Sequence, residues 1–141
     1  MKYQKWPKRD PIKNYFPVPN EVFLLGLSPG ELAVYSYMFF CEDRSTYQCW
    51  PSFKTIGKAT GMSTNTVRKY VRMLEERGLI TTEPTSITTK FGQKRNGNLL
   101  FTIRPIQEAV EQFYQQQLEN ISLDVQREKA SGTRVRQERL A

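Results

Sequence analysis

Histidine is missing from the 141-residue chain, and cysteine occurs only as Cys41 and Cys49. A closed zinc site wants four soft ligands, so this composition predicts no metal site and no cofactor. The two thiols are expected to be buried or half-buried, and pairing between them is disfavoured in a reducing compartment. Also missing is any apolar run near the ~20 residues that a membrane span needs. The charged start "MKYQKWPKRD" is not followed by an apolar stretch, so no signal peptide is expected. These absences predict a cytoplasmic chain with no membrane partner. No Walker phosphate loop or glycine-rich nucleotide fingerprint is found, and no small-molecule ligand is evident. No base-bearing motif accompanies the Tyr and Ser hydroxyls, and nicking chemistry built on paired histidines is excluded, so we expect no enzyme.

What the chain does have is positive charge, +7 at neutral pH. Between Pro51 and Arg104 there are ten Lys or Arg against three Glu, while residues 1–50 balance to +1 and residues 105–141 to −1. The excess therefore sits in the middle third. A focused basic region favours a polyanion, nucleic acid first. The bland alternative is a solvated basic face.

Local signals divide the chain into four parts. Residues 1–26 carry Pro7, Pro11, Pro17 and Pro19 among aromatic side chains. They predict an extended arm, with Trp6, Tyr15 and Phe16 available to pack and one helical turn before Gly26. In "SPGELAVYSYMFF", Ser28 is an N-cap, Pro29 takes the first helical position and Glu31 completes a capping box. Leu32, Tyr35, Ser36 and Phe39 are expected on its inner face, flanked by Met38. "QCW" predicts a short strand. Ser52 starts a second helix, with Ile56 and Ala59 inward and Gly61 at its end. Ser63 caps a third helix, which Gly78 closes. "LITTE" and "NLLFTI" then read as antiparallel strands, with Leu99, Phe101 and Ile103 inward and a basic hairpin tip between them. Pro105 opens a last helix, expected over 105–129, and residues 130–141 are expected as a flexible tail.

On the third helix, Val67, Tyr70, Val71 and Leu74 fall on one apolar face at 100° per residue. Asn65, Lys69 and Arg72 point away from it, Arg68 lies on the flank, and Thr64 and Thr66 sit at the amino end. Such an outward set suits duplex DNA: Arg and Lys bond guanine and Asn bonds adenine in the major groove. Hydroxyls and free N–H groups at the helix start suit phosphate. The candidate DNA contacts are Ser63, Thr64, Asn65, Thr66, Arg68, Lys69 and Arg72, with Lys54 on the preceding helix and Lys90, Lys94 and Arg95 on the hairpin. "TIGKATGMSTNTV" has helix-turn-helix spacing, with Gly57 small at the close approach and Gly61 in the turn. Helix, short strand, helix, turn, helix, hairpin is the order of a winged helix. The expected fold is thus mainly α with a small antiparallel β wing: a winged helix-turn-helix over residues 27–104, with an N-terminal arm and a C-terminal helix.

Residues 27–104 resemble a bacterial winged helix-turn-helix DNA-binding domain. "CWPSFKTIGKATGMSTNTVRKYVRMLEERGLI" resembles the domains of small proteins on Gram-positive plasmids and conjugative elements. "NYFPVPNEVF" with "LSPGELAVYSYM" resembles the start of plasmid replication initiators of that group. The run from Ser63 to Lys69 is similar to the recognition-helix start of gluconate-repressor-type regulators. In that family the Thr and Arg that match Thr66 and Arg68 contact DNA. The resemblance implies a double-stranded DNA partner. It implies a transcriptional regulator of a mobile element or of its own operon, or alternatively a replication initiation or maintenance protein. A winged helix used only for protein docking is the further alternative.

The last helix carries Ile106, Val110 and Phe113 toward the domain. Beyond them Tyr114, Leu118, Ile121 and Val125 recur at spacings of four, three and four. This second stripe predicts a homodimer through the C-terminal helix, unless the helix folds back on "YFPVPNEVF".

Overall fold

The computed structural model describes residues 15–140, with side chains described as far as Gly132. Trp6, Pro7 and Pro11 lie outside the described residues, as does Ala141. A 3-10 turn, Asn20–Leu24, leads to α1 (Pro29–Cys41), β1 (Gln48–Cys49), α2 (Phe53–Thr60) and α3 (Thr64–Glu76). Then come β2 (Ile80–Glu83), β3 (Ser86–Thr88), β4 (Lys94–Asn96), β5 (Leu100–Ile103) and α4 (Ile106–Leu140). The fold is a winged helix-turn-helix followed by a long C-terminal helix.

The helix starts follow from local hydrogen bonding. Ser28 Oγ accepts from the Glu31 N–H and the Glu31 carboxylate accepts from the Ser28 N–H, closing the capping box. Ser52 and Ser63 each accept from the N–H three residues on, Thr55 and Thr66, and thereby satisfy one of the orphan donors of the first turn. Gly61 and Gly78 take the left-handed conformation that ends a helix, at φ 72° and 78°.

Three helices pack around one core, where Tyr35, Met38, Ile56, Val67, Leu74, Leu79, Ile80 and Phe101 are fully buried. Each large apolar side chain so buried gains ~1.5–3 kcal/mol over exposure. The sheet has the order β1-β5-β2, all antiparallel, with Gln48 opposite Thr102 and Ile80 opposite Ile103. Phe101 and Ile103 face the core and Leu99 packs against it, the alternation that the sequence predicts.

Several inner faces differ from expectation. Helix α1 buries Tyr35 and Met38 as expected, but with them Glu31 and Val34, while Leu32 and Phe39 pack only half-buried against the core. Its residues are apolar nearly all round, so periodicity is weak, and an ion pair that draws Glu31 inward decides the rotation. On α2, Ala59 is exposed; Ile56 and Gly57 are buried, with Phe53 and Thr60 half-buried on the same i, i+3, i+4, i+7 face. Between β2 and β5 the chain does not form one open tip. It folds into a second ribbon, with Ser86 opposite Asn96 and Thr88 opposite Lys94.

Helix α4 starts after Pro105 as expected, and Ala109 is its most buried residue, flanked by Ile106, Val110 and Phe113. The flexible tail expected over 130–141 is helical instead as far as Leu140. Having little to bury does not prevent a helix there, because Arg, Gln, Glu and Lys are good helix formers. At 35 residues, α4 is roughly 50 Å long. Among the described residues no helix is long and apolar enough to cross a membrane. Cys49 is buried, Cys41 half-buried, and both are free thiols.

Candidate nucleic-acid interface

The turn between α2 and α3 fixes the pose of α3. The Met62 N–H donates to the Gly57 carbonyl at 2.9 Å, and Thr60 Oγ1 donates to the Ile56 carbonyl at 2.7 Å. A Cβ on Gly57 would lie 2.5 Å from the Met62 carbonyl oxygen, so the two helices can approach this closely only with glycine there. On the other side the Tyr70 ring lies flush on Gly30 of α1, where a Cβ would come within 2.3 Å of it. Val67, Val71 and Leu74 complete the buried face of α3.

The opposite face carries Thr64, Asn65, Arg68, Lys69 and Arg72, all exposed, and Lys54 is exposed in the first turn of α2. The sequence wheel and the structure agree that Asn65, Lys69 and Arg72 face outward. Ser63 and Thr66 are engaged with each other: their hydroxyls lie 2.8 Å apart and Ser63 also caps the helix. The Arg68 guanidinium stands 5.6 Å from the centre of the Phe53 ring, a cation–π contact that orients it beside α2. Lys69 similarly rests its ammonium 5.5 Å from the Tyr70 ring centre. Sequence reasoning missed both contacts: Phe53 and Arg68 lie on different helices, and the wheel assigns Lys69 and Tyr70, adjacent on α3, to opposite faces.

The wing departs from expectation. Lys90 is at its tip, but Lys94 and Arg95 are on β4, and as neighbours on a strand they point to opposite faces of the ribbon. The tip is pinned by the Thr89 N–H donating to the Gln93 carbonyl at 2.8 Å and by Gly92 at φ 75°. Phe91 stands there 93% exposed, a feature that the sequence reading did not single out. The base of the wing is tied down: Thr85 Oγ1 donates to the Asn98 carbonyl, and Asn98 Nδ2 donates to the Trp50 carbonyl at 3.2 Å.

Two members of the basic excess are committed elsewhere. Arg77 pairs with Glu31 at 2.6 Å, and Arg104 pairs with Glu108 at 2.9 Å. The remaining charge is concentrated on α2, the outer face of α3 and the wing.

Residues 25–80 match the family model described as a helix-turn-helix domain. The match begins just before α1, ends at the first residue of β2 and includes neither the wing nor α4. No curated protein matches the chain. A solved structure described as a possible transcriptional regulator from Methanosarcina mazei Go1 aligns with 72% of this chain and 79% of its own, at 16% identity and a TM-score of 0.48.

Proposed function

We propose that the chain binds double-stranded DNA sequence-specifically, with α3 in the major groove and the wing, residues 85–98, on the adjacent backbone or minor groove. The observation that carries this is the division of α3. Its apolar face is fully used in docking, while Asn65, Arg68, Lys69 and Arg72 are exposed on the other side. A helix offering Asn, Arg and Lys has the donors and acceptors that major-groove base edges require. The helix-turn-helix match over residues 25–80 supports the same reading.

We further propose a regulator of transcription, acting on its own operon or within a mobile element, and working as a homodimer through α4. The exposed stripe of Tyr114, Leu118, Ile121 and Val125 supports the dimer, since the described residues leave it uncovered. Dimers read paired half-sites, which gives specificity that one recognition helix lacks.

The test is a DNA-binding titration at several salt concentrations, with sites first selected from random duplexes. Arg68→Ala should cost ~1–3 kcal/mol on the selected site and less on random duplex. Equal losses on both would reassign Arg68 to phosphate contact. Absence of a salt-dependent shift would remove the DNA reading altogether. Sequencing the fragments bound in cells separates promoter sites from iterated origin repeats.

A further inference from the structure

The tip of the wing holds a single aromatic ring out in solvent. Lys90, Phe91 and Gly92 form a three-residue loop between Thr89 and Gln93, finished by the left-handed Gly92, a common short hairpin connection. Three hydrogen bonds fix it: the Thr89 N–H donates to the Gln93 carbonyl at 2.8 Å, the Gly92 N–H to the Thr89 carbonyl at 2.9 Å and the Gln93 N–H to Thr89 Oγ1 at 3.2 Å. Phe91 stands on this loop 93% exposed, the most exposed of the large apolar side chains among the described residues. The turn itself requires only the glycine, since its central positions accept most residues. The ring adds nothing to the core, yet the loop that carries it is ordered before any partner arrives.

The surroundings of the ring point to a polyanion. Residues 84–98 contain Lys90, Lys94 and Arg95 and no Asp or Glu. Ser86 pairs with Asn96 and Thr88 with Lys94, so these four share one face of the ribbon. All four are exposed, and their hydroxyl, amide and ammonium groups suit phosphate oxygens. The root of the wing is anchored by the Asn98 amide on the Trp50 carbonyl, just before the Ser52 cap of α2. Arg68 of α3 is oriented against Phe53, in the first turn of that same helix. The wing and the outer face of α3 thus meet at the start of α2, which puts the ribbon beside a duplex seated on α3.

Size decides how much of the wing can enter a groove. The minor groove of B-DNA is ~6 Å wide. Two strands ~4.8 Å apart, with side chains on both faces, are too broad for it. One ring at the tip is not. Apolar side chains inserted in this way wedge between base pairs, partly unstack them and kink the duplex toward the major groove. We propose that Phe91 is such a wedge: it enters the minor groove beside the α3 site and opens one base step, while Lys90 and the Lys94 face of the ribbon meet the flanking phosphates. The proposal rests on the DNA-binding reading and adds to it a source of specificity that needs no hydrogen bond to a base. Pyrimidine–purine steps such as TA unstack easily and A-tracts are stiff, so the chain should prefer a TA step where the tip falls.

The test titrates the full chain into duplexes of about 30 base pairs, selected from a random pool and carrying donor and acceptor dyes at their ends. The fluorescent base 2-aminopurine, placed at each position in turn, locates an unstacked step. Binding should bring the duplex ends closer and brighten 2-aminopurine at one step outside the positions read by α3. Changing that step from TA to AA should weaken binding roughly tenfold. Phe91→Ala should abolish the brightening, straighten the bound duplex and reduce that step preference to about twofold, while the thermal melt holds because the ring lies outside the core. Phe91→Leu keeps an apolar wedge and should retain most of the bend. A chain that binds no duplex overturns the DNA-binding reading and the wedge together. A straight bound duplex, a bend that survives Phe91→Ala, or brightening at no step overturns the wedge alone. A fall in mass on light scattering of Phe91→Ala would overturn it too, by assigning the ring to a contact between copies of the chain.

Discussion

Arg77, at the end of α3, reaches 46 positions back along the chain and donates through Nε to Glu31 in the first turn of α1 at 2.6 Å. The same guanidinium donates to the Leu25 carbonyl at 3.0 Å and the Gly26 carbonyl at 3.4 Å. Glu31, 1% exposed, meanwhile closes the capping box with Ser28. One ion pair thus locks three things together: the start of α1, the exit of the 3-10 turn and the far end of α3.

Breaking that pair should be costly. Arg77→Met leaves a buried carboxylate without its cation and two carbonyls without a donor. Since Arg77 is itself part-exposed, the loss should be about 2–3 kcal/mol, below the full cost for a wholly buried pair. Urea unfolding should show a lower midpoint at unchanged slope. A midpoint that does not move would mean that water replaces Arg77 freely.

The wing prediction follows from the ribbon geometry. Because Lys94 and Arg95 face opposite sides of β4, only one of them can meet the phosphates of a bound duplex squarely. Single alanine substitutions should therefore differ: one should flatten the slope of log affinity against log salt by ~1, and the other should change it little. Equal flattening by both would show that the ribbon enters a groove edge-on.

The C-terminal stripe predicts assembly. Leu118 and Ile121 are 66% and 57% exposed, at positions where a paired helix would bury them. Light scattering at tens of micromolar should give a dimer mass for the chain and a monomer mass for the double variant with Leu118→Glu and Ile121→Glu. A monomeric unaltered chain would end the idea. A dimer that survives both substitutions would place the interface elsewhere.

Cys49 sets an alkaline limit. Burial, and after it the charges of Cys41 and Glu42, pushes its thiol up from 9.0 to about 12. The folded chain keeps this proton where the unfolded chain releases it. Its contribution to stability is therefore complete below pH ~9 and is lost as pH rises from there toward 12, at up to ~1.4 kcal/mol per pH unit. Urea midpoints should fall between pH 8 and pH 10, and the fall should be smaller in Cys49→Ala. An identical fall in both would assign the alkaline loss to other groups.

The elements legible in the sequence are those whose cause is local. Ser28, Ser52 and Ser63 each announce a helix because a hydroxyl satisfies an N–H three residues on, and Gly61 and Gly78 end helices because they turn left-handed. The outer face of α3 was legible for a related reason. Its four apolar positions leave one direction for docking, so the placement of Asn65, Arg68, Lys69 and Arg72 follows from periodicity. What was not legible depends on distant partners. Arg77 counts as part of a basic patch until the fold brings Glu31 to it. The rotation of α1 is ambiguous because apolar residues surround it, and Ala59 looks inward until Phe53, Ile56, Gly57 and Thr60 are seen to share the packed face. The ribbon of β3 and β4 is too short and too exposed to leave an alternating pattern, which is why Lys94 and Arg95 looked like tip residues.

The position of β5 has a consequence for how the domain is made. It lies between β1 and β2, yet both neighbours precede it, one by more than fifty residues. Synthesis therefore delivers the three helices and the two outer strands first, with nothing to join them. Until Leu100–Ile103 leaves the ribosome, Phe101 is missing from the core and β1 and β2 have open edges, which are sites for unwanted strand pairing. A chain stalled within the wing should thus be the form of this protein most dependent on chaperones, and completing β5 should release it.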